Sequence, residues 1–101
     1  MSLSTHVLDT ARGEPARGVR VRLERAGEVL ATGVTDADGR IREWPASLAP
    51  GTYRLVFDTG AYLGDGAFFP EVVVTFAMVD GRHHHVPLLL SPYGYSTYRG
   101  S

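Results

Sequence analysis

Four histidines are the side chains of this sequence best suited to moving protons near neutral pH. His6 stands near the start, and the other three stand together in Arg82-His83-His84-His85-Val86-Pro87. On a strand, side chains alternate between faces. His83 and His85 then share one face with Pro87 and Leu89, while His84 faces the other way with Val86 and Leu88. Pro87 has no N–H to give a ladder, so this strand is expected at a sheet edge or at a bulge. Three readings fit these residue types. They are polar filler beside a turn; they are acid–base groups; or His6, His83 and His85 supply three imidazoles to a zinc ion with an open position. No acidic residue sits at a spacing that marks it as an orienting partner for them.

Arg40 follows the turn Asp36-Ala37-Asp38-Gly39. That tetrapeptide resembles the start of a calcium loop, but the closing Glu is missing, and a plain turn is the reading. An Arg at such a place is commonly solvated, yet its planar fork suits an oxygen-rich planar ligand. The chain has no Cys, which excludes disulfides, thiolate nucleophiles and Cys-ligated metals. No Ser occupies a nucleophile-elbow context. Phe68-Phe69-Pro70-Glu71 reads as a strand entry with core anchors, and Trp44, before Pro45, as a packing residue.

These groups must be positioned by strands. Val19, Val21 and Leu23 alternate with Arg20, Arg22 and Glu24, and Tyr53, Leu55 and Phe57 alternate with Arg54 and Asp58. Thr5 to Leu8, Val29 to Thr35, Val72 to Phe76, His83 to Leu90 and Tyr95 to Tyr98 complete about seven or eight strands, the count of a sandwich. Ala49-Pro50-Gly51 is a turn signal, and Asp80-Gly81 a hairpin signal. Only Gly60 to Gly66 offers a short helical turn, weakened by its glycines. The expectation is an all-β antiparallel sandwich forming one domain over residues 1–101. With 101 residues, 44% hydrophobic and 21% charged, the composition is globular, and the core is modest. A net charge of −1 argues against nucleic-acid or acidic-membrane partners. Met1 to Arg12 does not read as a signal peptide, and no apolar run is long enough to span a bilayer, so a cytoplasmic protein is expected.

Three segments carry a resemblance. Leu3-Ser4-Thr5-His6-Val7-Leu8-Asp9-Thr10 opens the chain, with Gly13-Glu14-Pro15-Ala16 behind it; His83-His84-His85-Val86-Pro87-Leu88-Leu89-Leu90-Ser91-Pro92 lies near the end; and Tyr95-Ser96-Thr97-Tyr98-Arg99-Gly100-Ser101 closes it. Together with Thr35 to Arg40 and Phe68 to Glu71, they resemble the 5-hydroxyisourate hydrolases of the transthyretin-like family. His84 departs from that family, where an aromatic residue is common. The resemblance implies a transthyretin-like sandwich assembled as a homotetramer, a dimer of dimers around a channel with the sites between dimers. It implies His6, Arg40 and His85 as catalytic residues, and Tyr98, Arg99, Gly100 and Ser101 as substrate-binding residues. It implies a small-molecule substrate, 5-hydroxyisourate, with no cofactor or metal. The alternative is a non-catalytic carrier of small aromatic ligands on the same fold.

Overall fold

The computed structural model describes residues 2–44 and 47–101. In chain order the strands are β1 (Leu3–Asp9), β2 (Glu14–Pro15), β3 (Arg20–Arg25), β4 (Glu28–Val34), β5 (Arg40–Ile41), β6 (Gly51–Phe57), β7 (Val72–Met78), β8 (His84–Ser91) and β9 (Gly94–Thr97). A helix, α1 (Thr59–Leu63), runs into a 3-10 turn at Gly64–Gly66 where the helical turn was expected. Asp58 caps α1 through its carboxylate and the Ala61 N–H.

The strands form the expected sandwich. One sheet runs β4-β3-β6-β7, and the other runs β2-β1-β8-β9 with β5 also on β1. The alternating apolar residues face each other between the sheets: Val19, Leu55 and Phe57 are fully excluded from water, and Val21, Leu23 and Tyr53 nearly so. Val7, Leu88 and Leu90 meet them from the other side. Trp44 is buried as anticipated; Pro45 lies outside the described residues. Phe69 packs against the core, but Phe68 is exposed, with its ring edge-on to that of Phe69.

Three expectations need correction. The antiparallel pattern has one exception, since β1 and β8 run parallel, with Leu3 opposite His84 and Asp9 opposite Leu90. The other sheet lies between them in sequence, so no hairpin dictates their direction. Asp80-Gly81 joins β7 to β8, which belong to different sheets; it is a crossover, not a hairpin. Finally, β8 lies inside its sheet, not at an edge. The N–H and C=O groups of odd residues of β8 face β9, because Gly100 N–H donates to the His85 carbonyl. The missing donor of Pro87 therefore faces β9, and regular β8–β9 pairing stops at Leu88–Thr97. The Thr97 hydroxyl donates to the Pro87 carbonyl, and one bridge, His85–Gly100, resumes the register beyond the gap.

Candidate active site

The outward row of β1 is Ser4, His6 and Leu8, since Leu3, Thr5, Val7 and Asp9 point inward. On β8, Val86, Leu88 and Leu90 are core residues, which leaves His85, Pro87 and Leu89 outside and puts His84 inside, 3% exposed. Register then decides which residues meet. Ser4 lies opposite His85, and His6 opposite Pro87. On the other flank of β1, His6 lies opposite Arg40 of β5. Strand spacing puts His6 and Arg40 roughly 5 Å apart at their Cα atoms, and His6 and His85 roughly 8 Å apart on the diagonal. The three residues inferred as catalytic therefore form one patch on the outer face of one sheet.

The Asp36–Gly39 turn holds one end of that patch. Asp36 accepts from the backbone of Asp38 and Arg40, which fixes the loop. Gly39 has φ +74° and lies so close to the Val7 carbonyl that a side chain would strike it. Its own carbonyl accepts from Val7 N–H at 2.7 Å, pinning the turn on β1. The Asp38 carbonyl is then presented to His6 Nε2 at 2.9 Å. A carbonyl only accepts, so Nε2 carries the proton, and the lone pair of neutral His6 falls on Nδ1. The carboxylates of this loop bind Arg42, with Asp38 at 2.9 Å and Asp36 at 3.7 Å. Among the described residues no ion pair engages Arg40.

The electrostatics follow from this placement. Desolvation lowers the pKa of His6 and Arg40 lowers it further, against a smaller opposing effect of the Asp38 carbonyl. Desolvation also leads for His85, followed by Arg40, His6 and His83. Both imidazoles are thus biased toward the neutral, proton-accepting form.

His83 lies just before β8 and is exposed. Its Nε2 and the Nδ1 of His85 both contact the Ser4 hydroxyl, each at 2.7 Å. The two rings share a face, as alternation requires, but a serine hydroxyl lies between their facing nitrogens. Among the described residues no three His or carboxylate side chains converge as metal ligands, so the zinc arrangement of His6, His83 and His85 is not formed. His84 donates from Nδ1 to the Arg82 carbonyl inside the sandwich.

The closing segment divides. Gly100 packs on the His85 imidazole, where a Cβ would fall 2.5 Å from Cδ2. Tyr98 is exposed, two residues back on the same side, and Ser101 is exposed at the end. Arg99 projects the other way, with its guanidinium 3.6 Å from Asp80. The structure brings His6, Arg40, His85 and Gly100 together, and does not bring the Arg99 side chain to them. Sequence reasoning overlooked Ser4 and the Asp38 carbonyl; Ser4 was within reach, being two residues before His6 on the same strand face.

A two-sheet sandwich whose outer sheet face carries two imidazoles beside a guanidinium that no ion pair engages among the described residues defines a class: a transthyretin-like fold with a polar face. The chain belongs to the HIUase/Transthyretin family, whose model matches residues 3–100. It is similar to the 5-hydroxyisourate hydrolase of Salmonella dublin, at 51% identity over 109 residues covering 98% of this chain and 80% of that protein. The Klebsiella pneumoniae 5-hydroxyisourate hydrolase structure superposes with a TM-score of 0.93 at 46% identity, over all of both chains. Sea bream transthyretin in complex with thyroxine superposes at 0.87 with 35% identity, over 97% of this chain and 93% of that one.

Proposed function

We infer that this chain is a 5-hydroxyisourate hydrolase, which opens the six-membered ring of its substrate to 2-oxo-4-hydroxy-4-carboxy-5-ureidoimidazoline in urate breakdown. The observation that carries the reading is the patch of His6, Arg40 and His85 in a chain about half identical to hydrolases of that name. Ring opening needs an activated water, a carbonyl to attack and a counter-charge for the developing oxyanion. The two neutral imidazoles suit the first task, and positioned groups of this kind contribute about 10²–10⁴-fold. One imidazole takes a proton from water as the oxygen bonds to the ring carbonyl carbon. The C–N bond then breaks, and the leaving nitrogen takes a proton from the pair. Arg40, which no ion pair engages among the described residues, holds the substrate's oxygens and offsets the oxyanion charge. Gly100 lets the chain end lie against His85, and Tyr98 and Ser101 border the substrate. Arg99, turned toward Asp80, acts by anchoring that end. The carrier reading fares worse, because unpaired charge and imidazoles suit a polar substrate better than an apolar cargo.

The assembly is part of the proposal. The patch is an open sheet face, and β7 and β9 end their sheets with unpaired edges, beside which Tyr95, Tyr98 and Phe68 are exposed. Both features support a homotetramer of one-domain subunits whose neighbour roofs the site; a cytoplasmic location belongs to the same reading. Light scattering is expected to give a tetramer, and a stable monomer at micromolar concentration would remove the shared site. The test of function is the ultraviolet decay of freshly generated 5-hydroxyisourate with and without the protein. Acceleration that survives a chelator supports hydrolysis by these side chains; no acceleration by a folded protein overturns it.

A further inference from the structure

Ring opening releases one proton per turnover. Of the two protons of water, one ends on the leaving nitrogen and the other is freed when the new carboxyl group ionises. If His85 took a proton from water at Nε2 and kept its own at Nδ1, the ring would become a cation, so the Nδ1 proton needs an outlet while Nε2 is protonated. A route is present. Ser2 Oγ lies 2.6 Å from His83 Nδ1, His83 Nε2 lies 2.7 Å from Ser4 Oγ, and Ser4 Oγ lies 2.7 Å from His85 Nδ1. Ser4 is 9% exposed, held between two rings, whereas His83 is exposed to water.

A hydroxyl has one proton and two lone pairs, so Ser4 donates to one imidazole and accepts from the other. That makes the chain directional, with two self-consistent settings. In the first, His85 Nδ1–H donates to Ser4, Ser4 donates to His83 Nε2, and His83 Nδ1–H donates to Ser2. His85 Nε2 is then a free base. In the second, every proton has moved one step outward: Ser2 donates to His83 Nδ1, His83 Nε2–H to Ser4, and Ser4 to His85 Nδ1. His85 Nε2 then carries the proton.

We propose that Ser4 and His83 are positioning residues that set the tautomer of His85 and drain its proton to solvent. The proposal rests on the reading of His85 as the acid–base group. When Nε2 takes a proton from water, Nδ1 passes its own to Ser4 Oγ, the Ser4 proton passes to His83 Nε2, and the His83 Nδ1 proton leaves to Ser2 or water. Each of His85, Ser4 and His83 gains one proton and loses one, and nothing is oxidised or reduced. When the leaving nitrogen takes the Nε2 proton of His85, the chain runs in reverse and the exposed His83 takes a proton from solvent at Nδ1, which restores the first setting.

The test compares His85→Asn, Ser4→Ala, Ser4→Thr and the exposed His83→Gln in the 5-hydroxyisourate decay assay. Ser4→Ala and His83→Gln are expected to lower kcat roughly tenfold or more with KM little changed, a smaller loss than that of His85→Asn within the range of acid–base catalysis. Ser4→Thr, which keeps the hydroxyl, is expected to retain most of the activity. Added imidazole buffer is expected to raise kcat of Ser4→Ala and His83→Gln but not of the parent, because a mobile base replaces the outlet. Parent-like kcat in Ser4→Ala, or losses that buffer and Ser4→Thr leave unrepaired, would overturn the relay. An active His85→Asn would overturn the site reading itself, which keeps the two failures apart.

Discussion

Gly100→Ala isolates the contact between the chain end and the imidazole. Gly100 is not in a left-handed conformation, so its backbone accepts an alanine, and the nearest obstacle is His85. The new methyl would fall 2.5 Å from Cδ2 and 3.1 Å from both Cβ and Cγ of that ring. Carbon pairs settle at about 3.5–4.0 Å, so the ring or the tail must shift by about 1 Å. A shift of the ring breaks its 2.7 Å contact with Ser4. A shift of the tail loses the 2.8 Å bond from Gly100 N–H to the His85 carbonyl. Misplacing a reacting group by about 1 Å costs on the order of 10²-fold, which is about 2.7 kcal/mol of barrier. The fold loses about 1 kcal/mol at most, a single hydrogen bond at a chain end, or less than about 8 °C in Tm. The assay is steady-state decay of 5-hydroxyisourate alongside a thermal melt. Gly94→Ala is the control, since its methyl would meet only the Ser91 hydroxyl at 3.8 Å. A Gly100→Ala enzyme within about threefold of the parent kcat would refute the claim that the tail positions His85.

Other perturbations follow from the same geometry. Arg40→Gln removes a charge that lowers the pKa of both His6 and His85. The acid limb of kcat/KM, expected below 6.5 in the parent, should move up toward that value, and kcat/KM should fall at every pH. The depressed imidazole pKa values also mean that the unfolded chain binds more protons, so stability should drop as pH falls through 6.5, and less steeply in Arg40→Gln. Tyr62→Phe removes the 2.8 Å hydrogen bond to the buried Asp9 carboxylate, at a cost of about 1.5–3 kcal/mol; thermal melts should show a Tm lower by roughly 10 °C with kcat unchanged. Gly39→Ala forces a left-handed alanine against the Val7 carbonyl; urea denaturation should register a loss of roughly 2–4 kcal/mol. Its activity should also fall, because Arg40 and the Asp38 carbonyl ride on that turn.

Local pattern carried most of the fold. The alternation of β3 and β6 marked the residues that are now buried, because a strand with one wet face must repeat every two residues. The two-residue strands β2 and β5 have no period to read and exist only because β1 lies beside them. Asp80-Gly81 has hairpin chemistry, but the destination of the next strand is a property of the whole sandwich. Pro87 was read correctly as a missing donor, yet the gap was met by a break in one ladder, not by exposure of the strand. In the site, sharing of a face by His83 and His85 was legible, whereas the meeting of His6 with Arg40 and His85 depends on register across three strands. Arg99 was assigned to the site through resemblance; alternation from His85 through Gly100 already puts it on the opposite side. Ser4 could be placed on the His6 face by alternation, but its role could not be read, because a lone serine on a strand is chemically silent until two imidazoles flank it.

The parallel pairing of β1 with β8 also governs when the site comes into being. Ser4 and His85 are 81 residues apart in sequence, and closing such a loop costs about 4 kcal/mol in chain entropy. His6 and Arg40 can meet early, but neither His85 nor Gly100 joins them until β8 is available. With the proposed site, a ribosome-bound chain lacking β8 is expected to be inert. Recovery of hydrolysis during refolding times the docking of β8 onto β1, and no half-folded species contributes a fraction of the rate.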